Sequence, residues 1–464
     1  MKIINNKNRL ILWSILFIIS SAYIFLSLQQ NIRISVNLLA ITAGLVIIPL
    51  SFMFYIFKKK DIHVSSWTIL LFAFLFRLLF LFQPAQLSDD IYRYLWDGSR
   101  SLNGLNPYSA SPASIKPADD HSALLLKKIN NPELVTIYPP TAQVVFAAGA
   151  AASPGITGIK ILLIIFDMIM CGIILMILRG MELPAWRAAL YAWHPLPVIE
   201  IAWSGHIDGV GILFFLFALY LLFVKERQSP ECFSGLFLAI KQKTIPLFAG
   251  ALFAAAVLTK FIVIIYLPVL LLVAASPFTI FLGFLICSIL LCIPYIPELQ
   301  NITGTLGIYL QNWEFSNFAF RTLRDMFSSG DIARIILMIL FLICIISIIV
   351  FLWIKQRNKS DGRMFTLQSS MGAFYQITLA FLLLSPTLHP WYALYLAALL
   401  PFAAGPAGFV LSWAVFLSYN VLIEYTRSGK WIESGSIAAV IWISPFAAYA
   451  VSIILKRFFR IWRN

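Results

Sequence analysis

The chain has 464 residues, 61% of them hydrophobic and 12% charged, with a mean hydropathy of +0.88. A water-soluble domain cannot cover so much apolar surface, and at roughly 20 apolar residues per crossing the length leaves room for about a dozen membrane spans and no separate soluble enzyme domain. Lysine and arginine outnumber aspartate and glutamate by 34 to 20, an excess that in a polytopic protein points to loops facing anionic lipid and not to nucleic acid.

The N-terminal stretch carries Lys2, Lys7 and Arg9 ahead of an apolar run at 10–28. The run is long enough to stay as a first helix instead of being removed as a signal peptide. Runs at 36–57 and 67–82 follow, separated by a linker with Arg33 and by Lys58, Lys59 and Lys60. The positive-inside rule then places the N-terminus in the cytoplasm and delivers residues 84–137 to the external face, where partly helical structure along the membrane is expected. Residues 139–153 are apolar but short. They read as re-entrant or interfacial, because counting them as a span would put the basic loops 225–243 and 355–363 outside. Further runs lie at 159–178, 188–203, 209–224, 246–259, 261–275, 279–295, 333–353, 373–388, 391–404, 408–423 and 437–455. The expected fold is an all-α, polytopic transmembrane helical bundle of about 12–14 spans, with residues 1–464 forming one integral-membrane domain and some short runs being broken helices inside it. The five cysteines show no metal-ligand spacing and read as inert packing.

On this topology the residues least at home in an apolar chain all fall at external helix ends: Asp89, Asp90, His206, Asp208, Lys260 and His389. Ionisable groups at membrane depth are costly and mark functional cavities. The densest motif runs Ser88, Asp89, Asp90, Ile91, Tyr92, Arg93, Tyr94, Leu95, Trp96, Asp97, Gly98, followed by Asn106, Pro107, Tyr108 and by Tyr138, Pro139, Pro140. Paired carboxylates of this kind hold a divalent cation, or divide into a general base and a neighbour that tunes it, or merely cap a helix. The aromatic neighbours favour a shaped sugar-binding surface over a plain turn. His206 and Asp208 sit in a short turn with Gly205 and Gly209. Lys260 suits a lipid-linked phosphate or headgroup snorkelling, and His389 lies beside Trp391 and Tyr392, a phosphate donor next to an aromatic platform or an interfacial belt. Arg77 and Asp167 lie deeper and are candidates to neutralise one another; Glu200, Arg321 and Arg324 read as solvated loop charges with a weaker claim on substrate.

Ser-Asp-Asp-Ile-Tyr-Arg-Tyr-Leu-Trp-Asp-Gly at 88–98, Asn-Pro-Tyr at 106–108, Ile-Tyr-Pro-Pro at 137–140, Gly-His-Ile-Asp at 205–208 and His-Pro-Trp-Tyr at 389–392 resemble bacterial polyprenyl-phosphate-mannose-dependent mannosyltransferases of the GT-C superfamily. The resemblance implies an inverting transfer of a hexose, most naturally mannose, from a polyprenyl-phosphate sugar to a glycan or glycolipid hydroxyl at the external face of the bacterial cytoplasmic membrane. Asp90 is then the base and Asp89 its support. Lys260, His206 and His389, in that order, are the candidates to meet the phosphate charge. Asp208, Tyr92, Arg93, Trp96, Tyr108, Tyr138, Trp391 and Tyr392 complete the expected substrate contacts, with Trp96, Tyr108 and Trp391 as stacking or anchoring rings. No cofactor is expected, and a divalent cation on Asp89 and Asp90 is the less favoured alternative. The competing class is a transporter or flippase of a lipid-linked sugar; the long external loop with its carboxylate motif favours the enzyme.

Overall fold

The computed structural model describes residues 6–60, 62–117, 119–153, 155–225, 235–357 and 367–461. Among them there is no β-strand; the one non-helical pairing is an isolated bridge between Phe315 and Thr387. The chain is a helical bundle, as its composition demands, since a backbone in lipid must satisfy its own hydrogen bonds. Helices α1 (Asn6–Ser27), α2 (Val36–Lys60) and α3 (Ser66–Leu81) open it. The α4 (Asp90–Leu102), α5 (Asp120–Leu126) and α6 (Pro140–Ala152) segments follow before the long α7 (Ile156–Gly180). The expected partly helical excursion after the third apolar run is thus α4 and α5.

Among the described residues eight helices are long and apolar enough to cross a membrane, and nine when the bent pair Pro197–Trp203 and Asp208–Phe223 counts as one span. Five further apolar helices are shorter, α3 and α6 among them. The apolar runs behind the larger expected count therefore include pieces that fall short of a bilayer by length alone. A 16-residue helix such as α3 reaches about 24 Å against a hydrocarbon core of about 30 Å. Residues 139–153 form the 13-residue α6, which likewise cannot cross unaided and packs against α4 and α7. Residues 226–234 of the basic loop 225–243 and residues 358–363 of the basic loop 355–363 lie outside the described residues, as does Cys232; the four described cysteines are free thiols.

Polar contacts from two cations gather helix ends around the start of α4. Arg33, between α1 and α2, donates to the Gln86 carbonyl and pairs with Asp89 at 2.6 Å. Lys160, in the first turns of α7, donates to the carbonyls of Phe80 and Gln83, each at 2.7 Å, and so satisfies groups left open where α3 ends. The crossing of α4 and α6 depends on Gly98, because a Cβ there would lie 2.3 Å from the Phe146 carbonyl oxygen. Deeper in the bundle Arg77 and Asp167 do meet, at 2.5 Å and with almost no exposure. Tyr191 donates to the other Asp167 oxygen, and Arg77 also reaches the carbonyls of Ala73 and Ala192. Full hydrogen bonding is what makes such a buried pair tolerable.

Candidate functional site

Asp90 begins α4, and its Oδ2 accepts a hydrogen bond from the Tyr138 hydroxyl at 3.1 Å. Its side chain keeps 24% exposure, so it is reachable from outside while facing inward. Inside it, the π-helical turn Pro197–Trp203 and the helix beginning at Asp208 are bent by 119° at a short break. π-turns of this kind commonly accompany functional sites. Gly205 makes the break possible: its φ is +79°, and a Cβ would strike the Ile91 side chain at 2.3 Å. The break folds His206 beneath Asp90, with His206 Nδ1 3.8 Å from Asp90 Oδ2 and Nε2 3.6 Å from Glu200 Oε2.

Lys260 closes the other side. It donates to Asp208 Oδ2 at 3.2 Å, and its ammonium lies over the rings of Tyr138 at 5.6 Å and Tyr392 at 5.5 Å. Burial raises the Asp90 carboxyl above its ordinary 3.8, the Lys260 cation and the Tyr138 hydrogen bond pull it back, and Asp208 and Asp89 push it up again. His206, Asp208 and Glu200 are fully buried. Both ring nitrogens of His206, Oδ1 of Asp208 and the Tyr395 hydroxyl have no hydrogen-bond partner among the described residues. An unsatisfied buried polar atom costs about 1–3 kcal/mol, so such a concentration belongs to a place built to receive a polar partner.

The structure thus brings Asp90, His206, Asp208, Lys260, Tyr138, Trp391 and Tyr392 into one cluster. Trp391 is sandwiched between His206 (centroids 4.0 Å apart) and His389 (4.2 Å), and His389 stacks in turn on Phe315 at 4.7 Å. Both faces of the indole are therefore covered, which corrects the expectation that Trp391 offers a ring face to a sugar. Desolvation in this stack, then the Lys260 cation, pushes His389 down to about 3, so it is a neutral ring and not a cationic phosphate ligand. Tyr392 shares a hydrogen bond with the Tyr309 hydroxyl at 2.7 Å.

Other expected residues lie elsewhere. Asp89 turns away from Asp90 to Arg33, and with Tyr92, whose ring lies 5.0 Å below the Lys128 ammonium, occupies the outer side of α4. Arg93 pairs with Asp97 at 3.0 Å and donates to the Leu134 carbonyl. Tyr108 is buried and donates to the Tyr138 carbonyl at 2.7 Å, so it supports Tyr138 from behind; Trp96 is also buried. Among the described residues no group of three or more His, Cys, Asp or Glu side chains is arranged to hold a metal ion. Glu200 overturns its reading as a solvated charge, because the π-turn carries it fully inside, where the Tyr419 hydroxyl donates to its two oxygens at 3.1 and 2.9 Å. The signal was present: Glu200 interrupts an apolar run at 188–203. Arg324 is held by Glu314 and Asp325, away from the cluster.

Residues 18–276 match the family model described as the alpha-(1->6)-mannopyranosyltransferase N-terminal domain. The chain belongs to this family. No curated protein and no solved structure matches it. It is an integral-membrane mannosyltransferase, and the matched residues hold Asp90, Tyr138, Glu200, His206, Asp208 and Lys260. The remaining part of the mannosyltransferase contributes His389, Trp391, Tyr392 and Tyr419 to the same cluster.

Proposed function

We propose that the protein transfers mannose from a polyprenyl-phosphate mannose to an acceptor hydroxyl, with Asp90 as general base, at the external face of the bacterial inner membrane. The observation that carries this reading is the placement of Asp90. It is the carboxylate of the cluster that is open to the outside, it is held by Tyr138, and a lysine stands across the site.

In the reaction Asp90 takes the acceptor's proton as the acceptor oxygen bonds to the anomeric carbon. The bond from that carbon to the phosphate oxygen breaks, and the electron pair leaves with polyprenyl phosphate. A single displacement inverts configuration. The α-(1→6) bond named in the family description therefore calls for a β-linked mannosyl phosphate as donor. A phosphate leaving group needs little acid assistance but does need preorganised charge nearby. Lys260 suits that role, since Asp208 and two tyrosine rings fix its ammonium within the cluster. Its many apolar helices give the lipid tail a route in from the bilayer. No divalent cation takes part in this mechanism; Asp89 is engaged by Arg33.

Single-turnover transfer from polyprenyl-phosphate-[14C]mannose to a crude lipid and glycan extract in detergent tests the reading. Labelled product from the wild type but not from Asp90→Asn is the expected result, and it persists in EDTA. Tight donor binding with no product from any of several lipid-phosphate sugars would overturn the transferase chemistry in favour of a carrier.

A further inference from the structure

Glu200 is the buried carboxyl that the transfer step leaves without a task. It sits mid-way along a π-turn, has no exposure, and has no lysine or arginine in an ion pair with it among the described residues. Its contacts are directional. The Tyr419 hydroxyl donates to it from one side, and Nε2 of His206 faces its Oε2 at 3.6 Å from the other. The opposite nitrogen of the same ring faces Asp90 Oδ2 at 3.8 Å. The order Tyr419, Glu200, His206, Asp90 is therefore a line of polar groups running from the bundle interior to the open carboxylate. Both nitrogen–oxygen gaps exceed hydrogen-bond length, and contacts of this kind tighten in a substrate complex.

A neutral imidazole has one donor and one acceptor nitrogen. If Nε2 carried the proton, the Nδ1 lone pair would point at the Asp90 carboxylate and repel it. The arrangement that gives Asp90 a donor has the proton on Nδ1 and requires Glu200 to donate to Nε2. In that arrangement Asp90 Oδ2 receives both the Tyr138 hydroxyl and His206, while Oδ1, which has no hydrogen-bond partner among the described residues, stays free for the acceptor.

We propose that Glu200 is a positioning residue that, held by Tyr419, fixes the orientation and tautomer of His206 and thereby leaves Asp90 with one oxygen, Oδ1, to take the acceptor's proton. The inference rests on Asp90 being the base. Trp391, stacked on the His206 ring at 4.0 Å, opposes the turn about Cβ–Cγ that would exchange the ring's two edges; the hydrogen-bond line decides which nitrogen carries the proton. The other charged or titratable groups around the ring are Lys260, Asp208 and His389.

The test compares Glu200→Leu, Glu200→Gln and Tyr419→Phe in full-length protein by steady-state transfer from polyprenyl-phosphate mannose. Leucine removes the donor and should lower kcat on the order of 10- to 100-fold with the donor KM unchanged, the scale expected of a misplaced catalytic group. Its acid limb of kcat/KM should also move to higher pH, because Asp90 loses a donor. Glutamine, whose amide donates as a carboxylic acid does, should restore kcat to within a few-fold of wild type and return the limb. Tyr419→Phe should move the limb in the same direction as leucine by a smaller amount, and it supplies the answer if the leucine variant does not fold. Normal kcat in Glu200→Leu, or a glutamine variant as slow as leucine, would overturn the proposal while leaving Asp90 as base. Full activity in Asp90→Asn would instead overturn the reading beneath it.

Discussion

The proposed base, Asp90, can take a proton only when deprotonated, and its surroundings hold its pKa above the ordinary aspartate value of 3.8. kcat/KM should therefore fall with decreasing pH earlier than for a free aspartate, as the proton returns to the carboxyl. Lys260→Met removes the cation that pulls the pKa down, so the acid limb should move further up in pH, with a loss of kcat besides. Tyr138→Phe should move it in the same direction by less. A limb that shifts downward in either variant would contradict the assigned geometry, and pH profiles of transfer decide it. Asp89→Asn is expected to keep far more activity than Asp90→Asn, since Asp89 faces Arg33 on the other side of the helix start. Much of this cluster was legible before any coordinates, because an ionisable residue in an apolar chain is conspicuous: Asp90, His206, Asp208, Lys260 and His389 all stood out that way. Glu200 was misread as a loop charge although it lies within an apolar run. Tyr419 and Phe315 gave no signal, since an aromatic residue is ordinary in such a sequence, and the direction in which Trp391 turns its faces is a tertiary fact that no spacing encodes.

The helical elements were the more legible level, because hydropathy reports them directly. What hydropathy does not report is how closely two helices approach. At Gly98 the α4 helix touches the backbone of α6, and Tyr138 lies in the segment that leads directly into α6. Gly98→Val should overpack the crossing by about 1–3 kcal/mol, lower the thermal midpoint, and reduce transfer by displacing Tyr138 from Asp90. A variant with wild-type midpoint and turnover would show that α4 and α6 do not meet there. The Arg77–Asp167 pair acts at the same scale by tying α3 to α7. Arg77→Met alone leaves a buried carboxylate unpaired and should cost about 3–5 kcal/mol. Replacing both partners, as Arg77→Met with Asp167→Leu, should recover part of that loss; a double variant worse than the single would mean the two charges act independently.

Across the whole molecule, Arg33 and Lys160 tie neighbouring helix ends together near Asp89, and α2 starts just after Arg33 and runs 25 residues to Lys60. Cysteine labelling with a membrane-impermeant thiol reagent in intact cells checks the external placement of the site: Asn103→Cys, after α4, should label from outside, and Ser65→Cys, before α3, should not. The reverse pattern would turn the enzyme over. The count of crossings was the least legible property, because runs of 10–17 residues are equally apolar whether they span, bend or stop within the bundle. The sandwich of Trp391 between His206 and His389 has one more consequence. Trp391 and His389 lie in the last part of the chain, beyond the residues that match the family model, while His206 and the proposed base Asp90 lie within them. The matched portion is thus not a transplantable catalytic module. A chimera joining residues 1–276 of this chain to the remainder of a relative should fold its base into an ill-fitting neighbourhood, and activity should return only as His389, Trp391 and Tyr419 are carried across with it. Substitutions in the two portions are expected to compensate one another in pairs.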